Sequence, residues 1–543
     1  MRETIFKLFS DLKENKTNTI CFFRQNLRIE KTFSEFGSDV DLALAKLDYL
    51  KHTKGIRNVA IIGPVSYDWI VCDMACIMGG FLSLAIPETL SEAEVEEILR
   101  KTDADIALVD FRLRQKYSLS FIEHYNFECL DPGVETDFWL LQELNVNLKE
   151  NRILKEYGII FSSGTSRNIK YIKGVFNTPE TKKKTFIENI KKIIEDINYK
   201  RSFWSGVNNK LIIFMPFSHS QQRGFFREAL FLKINIILSN PESCIKHIIT
   251  EKPNMMISVP VVYETIATRI KAKLNKLNRV QHLFFKIFNS LRINTLSNNN
   301  YLKRIFCFFL FKEIKKTYGG RSDFFVTGSA PIGTEAIETF YSIGVKILQA
   351  YGQTEIGNIA MSSPTNFKIG SVGKPLMNIK ISNESEILVK YEEALHSSNK
   401  DILIISEDDY IHTGDLGYLD KKGYLFITGR KDDVIVLETG KKVFPQKIES
   451  LIKTSDLIKD TCVFIKEGYK FYAVLECVGK PHEEEVKKVM QHFNNQLQTH
   501  ERINAYYITE DAFSEENGQL TRTFKKRRES IRTYFSTKIF TSL

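Results

Sequence analysis

Residues 59–109 read VAIIGPVSYDWIVCDMACIMGGFLSLAIPETLSEAEVEEILRKTDADIALV, and this stretch decides the fold class. Val59–Ile62 is an apolar run of strand length, Asp68–Met78 a helix candidate and Phe81–Ile86 a second strand. Ser91 and Glu94 have the spacing of a capping box, which opens a helix running to about Arg100. Ile106–Val109 is the next strand. Strand and helix in alternation predict an α/β fold with a mostly parallel sheet covered by helices. Leu211–Met215, Met255–Val259 and Asp323–Thr327 continue the pattern at wider intervals.

Past Gly370 the texture changes to shorter strands between Gly and Asp turns. Ile387–Lys390, Tyr418–Asp420 and Tyr424–Thr428 predict a small antiparallel section. After Arg430 come strands at Val434–Leu437, Thr461–Ile465 and Phe471–Glu476, then an amphipathic helix at Glu483–Gln498. A boundary in Gly429–Asp433 divides the chain into a large N-terminal domain, residues 1–430, and a smaller α+β domain, residues 431–543. At 543 residues the chain is too long for one hydrophobic core.

With 43% hydrophobic and 26% charged residues the chain is globular rather than disordered. Its net charge of +10 is the small difference between 76 basic and 66 acidic residues. That surplus suits phosphate-rich ligands, and no nucleic-acid partner is expected. The eight cysteines are scattered, and only Cys72 and Cys76 lie close together, within an apolar helical stretch. Buried thiols in a reducing compartment are therefore expected. The N-terminus has no signal-peptide core and no apolar run reaches bilayer-spanning length, so the expected location is cytoplasmic. The basic-aromatic run at Ile305–Phe311, flanked by Lys303, Arg304 and Lys312, reads either as a buried element or as a peripheral membrane contact.

Three segments can carry chemistry. From Tyr157 to Lys170 an apolar strand feeds a loop of small hydroxyl residues, Ser162, Ser163, Gly164, Thr165 and Ser166. Such a loop can wrap phosphate oxygens with N–H groups and hydroxyls, although a Ser/Gly turn is also common. In Gln349–Glu355, Thr354 sits beside Glu355, which suits a metal-bound triphosphate. In His412-Thr-Gly-Asp-Leu-Gly, Asp415 can accept both hydroxyls of a ribose, with Arg430 closing over them.

The order of these segments resembles the adenylate-forming (AMP-binding) superfamily of acyl-CoA synthetases, peptide-synthetase adenylation domains and luciferases. Phe161–Lys170, Pro216–His219, Gly328–Pro331, Tyr351–Glu355, Thr413–Asp415 with Gly429–Asp433, and a C-terminal lysine segment fall in the family's order over essentially the whole chain. Val259–Glu264, Phe311–Gly320, Val326–Ile332 and Glu516–Arg528 look like long-chain fatty acyl-CoA synthetases.

The resemblance implies that ATP activates a carboxylic acid as acyl-AMP and that the acyl group passes to the thiol of CoA. A carrier-protein pantetheine is the alternative acceptor, and a catalytically eroded nucleotide-binding relative is an alternative of another class. It further implies that Lys525 is the catalytic lysine, Thr354 and the Ser162–Ser166 loop hold phosphates, and Glu355 binds Mg²⁺. Gly328, Ser329, Ala330 and Pro331, with Tyr351, Gly352 and Gln353, would frame the adenine, the tyrosine ring stacking on it. Asp415 and Arg430 would fix the ribose, His219 would border the acyl pocket, and Asp432 would be the hinge of a rotating C-terminal domain. The acid implied is a medium- or long-chain fatty acid, with an aryl acid as runner-up. Arg167 and Ile169 stand where the family has glycine and proline. Lys170 matches the loop lysine without a gap and Lys173 with a three-residue insertion.

Overall fold

The computed structural model describes residues 2–127, 137–139, 141, 156–162, 170–175, 209–279, 281–283, 285–286, 314–321, 324–353, 356–363, 366–393, 404–406, 408–437, 442–466, 470–514, 517–520 and 526–543. Two compact units are present: Met1–Ser162 with Ile169–Ile257 and Arg292–Phe325, and Ser163–Asn168 with Ser258–Leu291 and Val326–Leu543.

In the first unit the 59–109 stretch folds as its pattern predicts. Asn58–Ile62 lies between Leu82–Ile86 and Ile106–Val109, parallel to both. The helices Tyr67–Gly79 and Glu92–Lys101 supply the crossovers, and Ser91 and Glu94 form the capping box. Every residue of Tyr67–Gly79 is buried, and its two carboxylates, Asp68 and Asp73, are paired with Arg24 and Arg223. Glu156–Ser162 adds to the sheet parallel to Leu82–Ile86 and pairs antiparallel with Lys170–Val175. A second parallel set runs through Thr19–Arg24, Asn235–Leu238, Lys210–Ile213 and Met255–Ser258.

In the second unit the expected antiparallel section has four strands, in the order Ile379–Ile381, Glu386–Lys390, Tyr410–Leu419 and Leu425–Arg430. Tyr410–Leu419 is longer than its patterning suggested, because the chemistry-bearing residues 412–415 are themselves strand. Beyond Arg430, Ile458–Lys466, Lys470–Cys477, Ile503–Thr509 and Thr541–Ser542 form a second sheet. The helix Glu483–Gln496 buries Val486, Met490 and Phe493, spaced to share one face. Each such side chain contributes about 1.5–3 kcal/mol relative to exposure. The thiols of Cys21, Cys72, Cys76, Cys244 and Cys462 are free and buried, as expected, and that of Cys477 is free and half-buried. No helix among the described residues is long and apolar enough to cross a membrane. The Ile305–Phe311 run lies outside the described residues.

Candidate active site

Asp415 is the centre of the best-defined cluster. It is directly opposite Arg430 in the antiparallel pair of Tyr410–Leu419 and Leu425–Arg430, so the two side chains share a face. Arg430 Nη1 donates to Asp415 Oδ1 at 2.9 Å. Tyr351 and Gln353, two apart on Lys346–Gln353, both reach the other oxygen: the Tyr351 hydroxyl donates to Oδ2 at 2.7 Å and Gln353 Nε2 at 2.8 Å. Gln353 also donates to the Thr413 carbonyl at 2.7 Å, tying the two segments together.

The strand segment that presents Asp415 is fastened to its neighbours. The Thr413 hydroxyl donates to the Ile387 carbonyl and accepts from Asp415 N–H. Gly414 N–H donates to Glu386 Oε1 at 3.1 Å, and Lys431 and His412 meet Oε2 of the same carboxylate. Burial would raise the Glu386 carboxyl, but His412, Lys431 and the Gly414 N–H hold it below its usual value. Gly414 has φ +69, a left-handed conformation within the strand that favours glycine. A Cβ on Gly352 would lie 2.2 Å from the Gly357 carbonyl oxygen, so only glycine lets the neighbouring strand approach there.

Electrostatics support one charged centre. Burial and the Asp415 carboxylate push the Tyr351 phenol well above its ordinary value, so it remains a proton donor. Burial works against charge on Arg430, yet Asp415 raises its pKa above normal. The site thus presents a carboxylate with an arginine beside it and a fixed phenol, a set that accepts hydroxyls and attracts phosphate.

Gly328–Pro331 sits alongside. A Cβ on Gly328 would lie 3.1 Å from the Ala350 carbonyl oxygen, one residue before Tyr351. Ser329, at φ +70, and Pro331 are exposed, while Gly328 and Ala330 are half-buried. Asp432 is exposed, in a turn closed by Asp433 N–H to Arg430 and Val434 N–H to Lys431. In the other unit, His219 is half-buried at the N-cap of the helix Ser220–Phe231. Lys170 is directly opposite Ser162 in the hairpin register, whereas Lys173 is opposite Ile159, farther from the loop. Ser163, Gly164, Thr165, Ser166, Arg167, Thr354, Glu355 and Lys525 lie outside the described residues.

Lys526, the neighbour of Lys525, is committed elsewhere. Its ammonium pairs with Asp460 at 2.7 Å and Glu449 at 3.5 Å, and it donates to the Thr461 carbonyl. From charge alone this basic run would read as a solvated helix start, a reading that the family resemblance of Glu516–Arg528 already sets aside. A helix does begin at Arg528, but Lys526 and Arg528 turn inward and only Arg527 is exposed. Sequence reasoning also missed the joint hold of Tyr351 and Gln353 on Asp415, and the role of Glu386 beneath Gly414. The alternation of Tyr351 and Gln353 was the available signal, since residues two apart on a strand share a face.

A family model described as "AMP-binding enzyme" matches residues 11–391, and one described as "AMP-binding enzyme C-terminal domain" matches residues 432–540. The chain belongs to the AMP-binding enzyme family. It is an adenylate-forming ligase of the acyl-CoA synthetase type, and it activates a carboxylic acid with ATP. Among members of this family, it is 23% identical to the long-chain-fatty-acid–CoA ligase FadD15 of Mycobacterium bovis, over 94% of this chain and 91% of that one. Its fold is similar to o-succinylbenzoate CoA synthetase from Bacillus subtilis in complex with the acyl-adenylate intermediate OSB-AMP. That match has TM-score 0.70 and 16% identity, and covers 99% of each chain. It is also similar to the A-PCP didomain of a carboxylic acid reductase from Segniliparus rugosus in complex with AMP, with TM-score 0.72 and 15% identity. There the match covers 98% of this chain and 80% of that one.

Proposed function

We propose that this ligase activates a medium- or long-chain fatty acid and transfers the acyl group to the thiol of CoA. The single observation that carries the nucleotide part is the Asp415 carboxylate, held by Tyr351, Gln353 and Arg430 on a strand segment that Glu386 fastens. The choice of acid is supported by the name of the Mycobacterium bovis relative.

In the first half-reaction a carboxylate oxygen attacks the α-phosphorus of ATP, and the bond to the β-phosphate breaks to release pyrophosphate. Negative charge builds on the α-phosphate, so fixed cationic donors there dominate the rate. Lys525 takes that role; Lys526 cannot take it without leaving Asp460 and Glu449. Asp415 and Arg430 hold the ribose, and Gly328–Pro331 with Tyr351–Gln353 frame the adenine. The Ser162–Ser166 loop, Lys170 and Thr354 hold phosphates. Lys170 is preferred to Lys173 because it faces Ser162 across the hairpin. Glu355 is assigned to Mg²⁺, whose chemistry when bound is to neutralise triphosphate charge. His219 borders the acyl group.

In the second half-reaction the thiol sulfur attacks the acyl carbon, loses its proton and expels AMP. The segment 431–543 turns about Asp432 between the two steps, withdrawing Lys525. The test supplies ATP, Mg²⁺ and a panel of fatty and aryl acids with either CoA or a phosphopantetheinylated carrier protein, and measures the thioester by mass spectrometry. Acyl-CoA from medium- and long-chain acids is expected. Acylated carrier protein with no acyl-CoA would replace CoA as the acceptor, and a preference for aryl acids would replace the fatty acid.

A further inference from the structure

Glu449 is buried at 5% exposure on the helix Pro445–Ile452. A carboxylate so placed is tolerated only if it is paired. It pairs with two cations from the segment that follows Lys525. Arg528 Nη1 bonds Glu449 Oε1, and Lys526 Nζ lies 3.5 Å from Oε2. Val463 N–H donates to Oε1 at 2.8 Å, so the strand Ile458–Lys466 is tied in as well. Lys526 also holds Asp460 at 2.7 Å. Burial would raise the Glu449 carboxyl, but Arg528 and Lys526 bring it down to about 2, so it stays ionised at any working pH.

Both cations are also fixed by backbone. Lys526 donates to the Thr461 carbonyl and Arg528 to the Val463 carbonyl, residues two apart on one strand. The two side chains turn inward on either side of the exposed Arg527, the N-cap of the helix Arg528–Tyr534, so the chain is locked on one side here. A solvated basic run would need none of this. We propose that Glu449, Lys526 and Arg528 form a buried clasp that positions Lys525, fixing the chain immediately after it to the body of the C-terminal domain. The clasp rests on the reading of Lys525 as the catalytic lysine. Its residues touch no substrate; they are positioning residues.

The experiment measures both half-reactions in the full-length enzyme: acyl-AMP formation from acid and ATP, and thioester formation from preformed acyl-AMP and CoA. Glu449→Gln keeps shape and removes the charge; Lys526→Met removes one arm and leaves the Arg528–Glu449 pair. Displacing a catalytic group by about 1 Å costs about 10²-fold. Each variant is therefore expected to slow acyl-AMP formation tenfold to a hundredfold and to change thioester formation less than twofold. Glu449→Asp, which keeps the charge, is expected to recover part of the loss. Hydrogen exchange of Ile458–Lys466 and Lys470–Cys477 reports whether the domain stays folded.

Equal loss of both half-reactions, with native or weakened exchange, would show that the clasp serves only the fold and would overturn the proposal. Unchanged rates would overturn it too. Lys525→Ala, run in parallel, separates the two readings. If it spares acyl-AMP formation, the assignment of Lys525 fails. If it is selective while Glu449→Gln and Lys526→Met are not, the clasp alone fails.

Discussion

Asp415→Asn tests the nucleotide site where its geometry is most constrained. A carboxylate offers about four lone-pair positions. Two on Oδ2 are taken by Tyr351 and Gln353, and one on Oδ1 by Arg430. One position on Oδ1 is left for a ribose hydroxyl, and a second hydroxyl can bind only if a protein donor yields. In the asparagine variant the oxygen faces Tyr351 and Gln353, and the NH₂ then faces Arg430, donor against donor. The ribose hydroxyl loses a charged acceptor, worth about 1.5–3 kcal/mol, which corresponds to a rise of about ten- to a hundredfold in the KM for ATP. The ribose does not change on the way to the transition state, so kcat should move little. The assay is acid-dependent pyrophosphate–ATP exchange with ATP, 2′-deoxy-ATP and 3′-deoxy-ATP. In the unmutated enzyme at least one deoxy nucleotide should carry that penalty, and in Asp415→Asn the penalty should vanish, the signature of a direct contact in a mutant cycle. A raised KM with the deoxy penalty intact would refute the ribose assignment and leave Asp415 as a support for Tyr351, Gln353 and Arg430.

Three further outcomes are expected. Asp432→Pro, which fixes φ at the hinge, should spare acyl-AMP formation and block thioester formation, so that acyl-AMP accumulates in a single-turnover assay; equal loss of both steps would remove the hinge from Asp432. Arg167→Gly should raise the KM for ATP in steady-state kinetics by about tenfold or more, if the arginine contacts the γ-phosphate in place of the family's glycine; an unchanged or lower KM would end that compensation argument. Lys453 pairs with Glu264 at 3.4 Å. Its reversal to Glu should change the ratio of the half-reaction rates by up to about fivefold, the value of about 1 kcal/mol for a partly exposed pair, and Glu264→Lys in the same chain should restore it.

The parallel core was legible because its signals are local. Val59–Ile62, Phe81–Ile86 and Ile106–Val109 are apolar runs, and the Ser91–Glu94 capping box marks its own helix start. The site residues are assigned on a different ground: their order along the chain resembles a family. What stayed hidden depends on distance. The bond between Tyr351 and Asp415 joins residues 64 apart, and no periodicity reports it. The pairing at Glu449 was not legible for the same reason, since charge alone does not show that a carboxylate 79 residues before Arg528 is placed against it. Ser163–Ser166 of the phosphate loop and Lys525 lie outside the described residues, so their roles rest on the resemblance and on what their neighbours do.

The central claim is that the chain makes an acyl-adenylate from a free acid, and isotope exchange between pyrophosphate and ATP measures that step alone. With ATP and Mg²⁺ and no acid the exchange should be at background. Adding single acids of increasing chain length should switch it on, most strongly for medium- and long-chain fatty acids, without any CoA present. Exchange that never rises above background across the acid panel, from protein that still binds ATP, would contradict the account and leave a nucleotide-binding relative that has lost the chemistry.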